Sequence, residues 1–325
     1  MKKYLYLIVF FGIITNCIGQ QAVQYSQYML NPYQFNVAHA GLENSLVATL
    51  AVRKQWLNLN NSPSSQNLTL HLPFYFLKGG IGMSIENDVL GVTNNSRLTV
   101  SYNYIHPITE KIKLSVGLGG GFAQHRVDGS KLRTSDGTYE PSAFDHKDPI
   151  LLASNQSAIS PTFQAGVILQ VDRLKLGLSG INLLENTYDL ESIDRNVIFT
   201  DRRQFFANVV YDYSINPSLS LMPSILLKTD LIEQQIDYTL VVHIEDKYLL
   251  GGSYRGLNGD TQDAVAILAG IKLKENFTLS YSYDLGLSDL KSVQSGSHEM
   301  LITYDLNKNI GAGRLPNIIY NPRFL

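Results

Sequence analysis

Between about residue 45 and residue 306, segment after segment alternates apolar and polar positions. Residues 277–285 read FTLSYSYDL, with every odd position apolar or aromatic and every even one small or polar. Residues 98–104 (LTVSYNY), 112–118 (IKLSVGL), 236–244 (IDYTLVVHI) and 300–306 (MLITYDL) follow the same period. Successive side chains of a strand point to opposite faces, so each segment has one apolar and one polar face. The pattern predicts fourteen strands, near 45–57, 65–76, 79–88, 95–106, 111–124, 158–171, 173–181, 201–213, 217–229, 234–245, 247–256, 262–273, 275–286 and 296–306.

The connections sort by parity. Those near residues 77–78, 106–111, 171–172, 215–217, 246–247 and 274–276 are short. The intervening ones, near 57–64, 89–94, 126–157, 181–200, 256–261 and 287–295, are longer, with 231–234 as the exception. Short turns on one side and long loops on the other mark an outer-membrane barrel. A soluble β-sandwich also alternates, but its strands usually run ~5–6 residues. Several here reach ten or more, near the ~9–11 that a tilted membrane strand needs. After residue 20 no apolar run approaches the ~20 residues of a membrane-spanning helix. The fold class expected is therefore all-β: a closed outer-membrane β-barrel of about fourteen antiparallel strands. Lys113, Ser115, Gly117 and Gly119 would face the lumen. Tyrosines near strand ends (Tyr104, Tyr211, Tyr213, Tyr248, Tyr254, Tyr283, Tyr304) fit either an interfacial girdle or plain β-propensity.

The chain start is different. Lys2 and Lys3 precede an apolar stretch, 5–14, with no charge from residue 4 to residue 18. This predicts a cleaved Sec signal peptide over 1–19, cut after Gly19. Lipidation at Cys17 is the rival reading, since residues 14–17 loosely resemble a lipobox. Residues 20–44 form an aromatic, amide-rich periplasmic lead-in, expected to pack on or in the barrel of residues 45–306. Residues 307–325 would form a periplasmic tail.

Composition narrows the function. The 325 residues carry 26 Lys+Arg against 28 Asp+Glu, with no basic blocks, which argues against a nucleic-acid partner. One cysteine excludes a disulfide framework. The seven histidines show neither HExxH nor zinc-finger spacing. Asp145-His146-Lys147-Asp148 could touch a metal but reads first as a solvated loop, and the Gly-rich run 117–121 lacks the context of a phosphate loop. No catalytic, cofactor or metal residue is assigned. The long loops hold Tyr139, Phe144, Ile150, Leu151 and Tyr188 among polar residues, a candidate surface for a protein partner.

A family resemblance rests on dispersed motifs. Gln24-Tyr-Ser-Gln27-Tyr28-Met29-Leu-Asn31-Pro32, followed by Asn36-Val-Ala-His-Ala40-Gly41, resembles the opening of the PorP/SprF family of type IX secretion system membrane proteins. Arg53-Lys54-Gln55-Trp56, the run 85–91, Ser297-His298-Glu299 and the terminal 321–324 resemble further family motifs in matching order. Val37 and His39 depart from the family's usual Pro and Tyr. The resemblance implies a non-enzymatic outer-membrane barrel of a Gram-negative bacterium. Its partners would be the lipid bilayer, other type IX outer-membrane components and a large secreted protein with a type IX C-terminal signal, such as a gliding adhesin. The barrel would support that protein's export or surface anchoring. The alternatives are a channel for small or hydrophobic solutes and an outer-membrane enzyme.

Overall fold

In a computed structural model, the structure describes residues 23–140, 143–148, 151–152, 154–192, 196–256, 263–308 and 310. The expected signal peptide, Cys17, Ile150 and most of the C-terminal tail lie outside the described residues.

Fourteen antiparallel strands form one meander that closes on itself. They are β1 (Val47–Lys54), β2 (Ser64–Phe74), β3 (Gly79–Leu90), β4 (Thr93–Pro107), β5 (Ile112–Asp128), β6 (Asn155–Val171) and β7 (Leu174–Ile181). The second half comprises β8 (Gln204–Tyr211, resuming at Tyr213–Asn216), β9 (Leu219–Thr229), β10 (Gln234–Ile244), β11 (Tyr248–Arg255), β12 (Ala264–Lys274), β13 (Phe277–Gly286) and β14 (Ser297–Asp305). The seam joins the first strand to the last, with Val47 opposite Asp305 and Lys54 opposite His298. Closure follows from the solvent: in hydrocarbon an unpaired backbone amide costs several kcal/mol, so no edge can remain.

The barrel is apolar outside. Leu98, Leu118, Phe122, Phe163, Leu178, Leu250 and Ile267 all expose their side chains. Tyr104, Tyr211, Tyr213 and Tyr248 are exposed at the short-turn ends, where an interfacial girdle belongs. Inside, Thr49, Arg53, Thr69, Ser101, Ser115, Ser280, Ser282 and Asp284 are buried. A water-soluble sandwich would bury the apolar face instead.

On one side of the barrel the lumen wall is also apolar. Phe206, Val210, Met222, Leu226, Val241, Leu249, Ala266 and Leu268 face inward on β8 to β12. These strands are apolar on both faces, which is why 264–271 reads AVAILAGI without strict alternation.

The inward apolar side chains meet the chain's own N-terminal segment. Residues 23–46 run through the lumen as three single turns of 3-10 helix, Tyr28–Leu30, Pro32–Gln34 and Val37–His39. Pro32 starts the second turn, and the Asn36 side chain caps the third by accepting from Ala38 N–H at 3.0 Å. Tyr28, Met29 and Phe35 pack on the apolar wall, each burial worth roughly 1.5–3 kcal/mol. Gln24 lines a cleft with Trp56, Asp263 and Gln294 at the long-loop end, whereas Glu43 lies beside His71 near the short-turn end. The segment is thus not confined to the periplasmic rim: its first described residues lie deep in the lumen, toward the outer mouth. Because it fills the lumen, Ser280 faces packed protein rather than water and is 2% exposed.

Two of the long connections carry structure of their own. β5 and β6 stay paired through 17 residues, from Ile112 opposite Val171 to Asp128 opposite Asn155. That exceeds a membrane span, so both strands rise beyond the bilayer on the long-loop side. A hairpin, Asn186–Leu190 with Val197–Asp201, leans on this ridge. Val127, Leu152 and Leu190 form a small core beneath it. Residue 201, expected in a barrel strand, belongs to this hairpin.

Two outcomes test the architecture. Ile267→Arg, on the lipid face, is expected to lower folding stability in lipid vesicles by about 2–4 kcal/mol if it sits near the midplane, while Ile267→Leu leaves it nearly unchanged. Lys131→Cys is expected to react with an impermeant thiol reagent on intact cells and Glu245→Cys only after the outer membrane is broken; the reverse would invert the topology.

Candidate functional site

The lumen holds the most concentrated chemistry among the described residues. Arg53, Lys228 and Arg255 face Asp237, Asp284 and Glu299, and all six are buried. The charges balance three against three. Arg53 Nη2 donates to Asp284 Oδ2 at 2.6 Å and Nη1 to Glu299 Oε2 at 3.0 Å. Arg255 Nε donates to Asp237 Oδ1 at 3.1 Å, and its Nη1 lies 3.4 Å from Asp284 Oδ2. Lys228 Nζ lies 2.9 Å from Asp237 Oδ2 but off hydrogen-bond alignment, so this contact is an ion pair only.

The N-terminal segment is part of this lattice. Backbone N–H groups of Ser26 and Gln27 donate to the two Glu299 carboxylate oxygens at 2.8 and 3.0 Å. The Ser26 hydroxyl donates to Asp284 at 2.6 Å and accepts from Arg53 and Arg255 at 3.1 and 3.0 Å. Wall and plug therefore satisfy each other's buried charges, without which each would be costly.

Further down, hydrogen bonds tie the plug to one strand after another. Thr69 donates to Asn31 Oδ1 at 3.0 Å, and Tyr33 pairs with Ser101 at 2.7 Å. Ser115 and Asn103 donate to Ala38 O at 2.7 and 3.0 Å. Asn36 Nδ2 lies 3.4 and 3.3 Å from the carbonyls of Val167 and Leu178. Close approach requires a bare wall at one point: a Cβ on Gly117 would lie 2.7 Å from Ala38 N. The Gly-rich run serves packing here. Gly41 adopts φ +73°, and a Cβ there would strike Pro73 at 2.8 Å.

The sequence motifs separate by face. Ser26, Gln27, Arg53 and Glu299 converge in the charge lattice, and Tyr28, Met29, Asn31, Asn36, Ala40 and Gly41 line the plug–wall contact. Pro32 contributes the turn start. Lys54 faces away and donates to Ser62 O at 2.9 Å. His298 also points outward, against the rings of Tyr281 and Tyr283. Gln55 is buried, and Trp56 turns the chain with its backbone N–H donating to Ser297 Oγ at 3.2 Å. Asp237, Asp284, Lys228 and Arg255 belong to no motif noted in the sequence. Their signal was a charge at an inward position of a strand otherwise free of charge on that face.

The loop residues also divide. Phe144 is 43% exposed and packs edge-on against Tyr139, with the Arg133 guanidinium 4.5 Å above the Tyr139 ring. Leu151 is half-buried. Tyr188 is 1% exposed: it folds over the barrel mouth against His125 and donates to Asp201 at 2.8 Å, so it offers no free surface. His146 is not solvated either. It is buried, with Nε2 3.1 Å from the carbonyls of Gly129 and Leu152 and Nδ1 3.0 Å from the Tyr139 hydroxyl.

Above the plug a cavity of about 170 Å³ remains, lined by Glu86, Asp88, Arg97, His125, Asp201 and Lys228 among others. A closed barrel with an apolar exterior and its own N-terminal segment anchored in the lumen defines a plugged outer-membrane β-barrel. The chain belongs to the family described as type IX secretion system membrane protein PorP/SprF, whose model matches residues 18–304. It is thus an outer-membrane component of that secretion system.

Solved structures of similar shape share little sequence. The toluene transporter TbuX of Ralstonia pickettii gives a TM-score of 0.48 at 11% identity, covering 86% of this chain and 93% of that one. The toluene transporter TodX of Pseudomonas putida gives 0.48 at 9%, covering 89% and 95%. Omp33 of Acinetobacter baumannii gives 0.47 at 6%, covering 80% and 97%. Among curated protein sequences none matches.

The charge lattice makes a testable statement. Arg53→Met leaves Glu299 with backbone amides but no counter-charge and Asp284 with Arg255 alone, and is expected to cost about 3–5 kcal/mol. Adding Glu299→Gln is expected to recover part of that loss, because the pair is then removed together. Denaturant unfolding in detergent micelles reads both; a double variant no better than Arg53→Met would mean that the pair is not coupled.

Proposed function

We propose that the protein supports export or surface anchoring of a large secreted protein carrying a type IX C-terminal signal, such as a gliding adhesin, and does so without catalysis. It reaches the outer membrane of a Gram-negative bacterium through a Sec signal peptide. The observation that carries this reading is the filled lumen. A solute channel needs a continuous wet path, whereas here the N-terminal segment crosses the lumen and is held by buried ion pairs and apolar packing. What the barrel then offers to partners is its rim.

The exposed apolar side chains of the outer rim support the partner reading. Leu184, Ile198, Leu231, Ile232 and Val293 expose large apolar side chains on the long-loop side, together with Phe144. Exposed apolar side chains in a polar rim are what a protein partner would cover. The β5–β6 ridge and its hairpin would lift part of this surface clear of the bilayer.

Replacing residues 129–154 by a tight turn is expected to leave the barrel assembled while surface display of the secreted partner falls. Recovery of the same partner at the same level would remove this loop as the docking surface. The channel alternative is tested separately: purified protein in liposomes is expected to show no steady conductance or solute uptake.

A further inference from the structure

We infer that His39, Glu43 and His71 form a site for a divalent transition-metal ion, with Zn²⁺ the natural occupant, that clamps the plug to the barrel wall. One ligand atom from each residue falls within 4.8 Å of the others. His39 Nδ1 lies 3.0 Å from Glu43 Oε1, and His71 Nδ1 lies 3.8 Å from Glu43 Oε2. Ligands bound at 2.0–2.2 Å around a tetrahedral zinc stand roughly 3.3 Å apart, and the two distances bracket that value. Two histidines and a carboxylate are a known zinc donor set that leaves a fourth position for water.

The second observation is an orphaned atom. His39 is 4% exposed, yet its Nδ1 has no hydrogen-bond partner, because the nearby carboxylate oxygen is out of alignment. Buried polar atoms are normally satisfied, and this one borders the gap between the three residues. His71 is buried too, and its ring lies against that of His39 at 6.0 Å. His71 Nδ1 accepts a long hydrogen bond from Gly41 N–H at 3.4 Å, which an ion bound at that nitrogen would displace. Glu43 keeps 30% of its side chain exposed, so an ion can enter from the periplasmic end.

The donors come from two parts of the fold. His39 and Glu43 belong to the plug and His71 to β2. An ion held by all three would cross-link plug and wall, and by mass action would stabilise only the plugged state.

The test uses the full-length protein folded in detergent. Zn²⁺ titrated calorimetrically is expected to bind with a stoichiometry of one and to raise the unfolding temperature, with chelator reversing the rise. His39→Gln, His71→Gln and Glu43→Gln are each expected to weaken binding by more than the ~10–100-fold typical of an outer-shell change. Glu43→Gln, at the exposed end of the site, serves if a buried variant fails to fold. Co²⁺ in place of Zn²⁺ is expected to give the visible absorption of a four-coordinate site. Absence of Zn²⁺ binding by the parent protein, or binding unchanged in the folded variants, would overturn the proposal.

Discussion

A closed cylinder of fourteen strands encloses more space than its own inward side chains can fill; eight strands already reach that limit. The interior must therefore be wet or be filled by something else. In this protein residues 23–46 fill it, and much of the remaining design follows. The inner wall cannot be uniformly polar, because part of it must hold Tyr28, Met29 and Phe35. It cannot be uniformly bulky either, because Gly117 must let a backbone come close.

Filling the lumen also takes its charges out of water. Arg53, Asp284, Glu299, Arg255, Asp237 and Lys228 would be a liability in a dry interior if any stood alone. They are arranged so that each has an opposite charge within 4 Å. Ser26 and Gln27 contribute short polar contacts instead of charge. Hydrophobic packing and charge compensation thus act on opposite sides of the same segment: the apolar wall supplies adhesion, and the charged wall fixes the register.

Much of the fold was legible in the sequence because alternation is a local signal. Strands such as 277–285 announce both faces within nine residues. The run 264–271 was less legible, since lipid on one face and plug on the other both select apolar residues. The sorting of loop lengths gave the topology, but it could not reveal that β5 and β6 continue past the membrane or that 186–201 folds into a hairpin. The site was legible only in part. Arg53 and Glu299 stood out through motif resemblance, whereas Asp237 and Asp284 lay in strand runs without any motif. Tyr188 looked exposed because a loop was assumed around it. His39 and His71 lie far apart in sequence and meet only because the plug returns to β2.

The seam between β1 and β14 has a consequence for assembly. Arg53 stands on the first strand and Glu299 directly opposite on the last, with the amides of Ser26 and Gln27 bound to the same carboxylate. These partners are more than two hundred residues apart in the chain and come into contact only when the cylinder shuts. A nascent barrel still open at the seam leaves Arg53 without Glu299, and leaves the plug held from one side. Closure and plugging therefore draw on one carboxylate: Glu299 completes Arg53 across the seam and holds the amides of the plug.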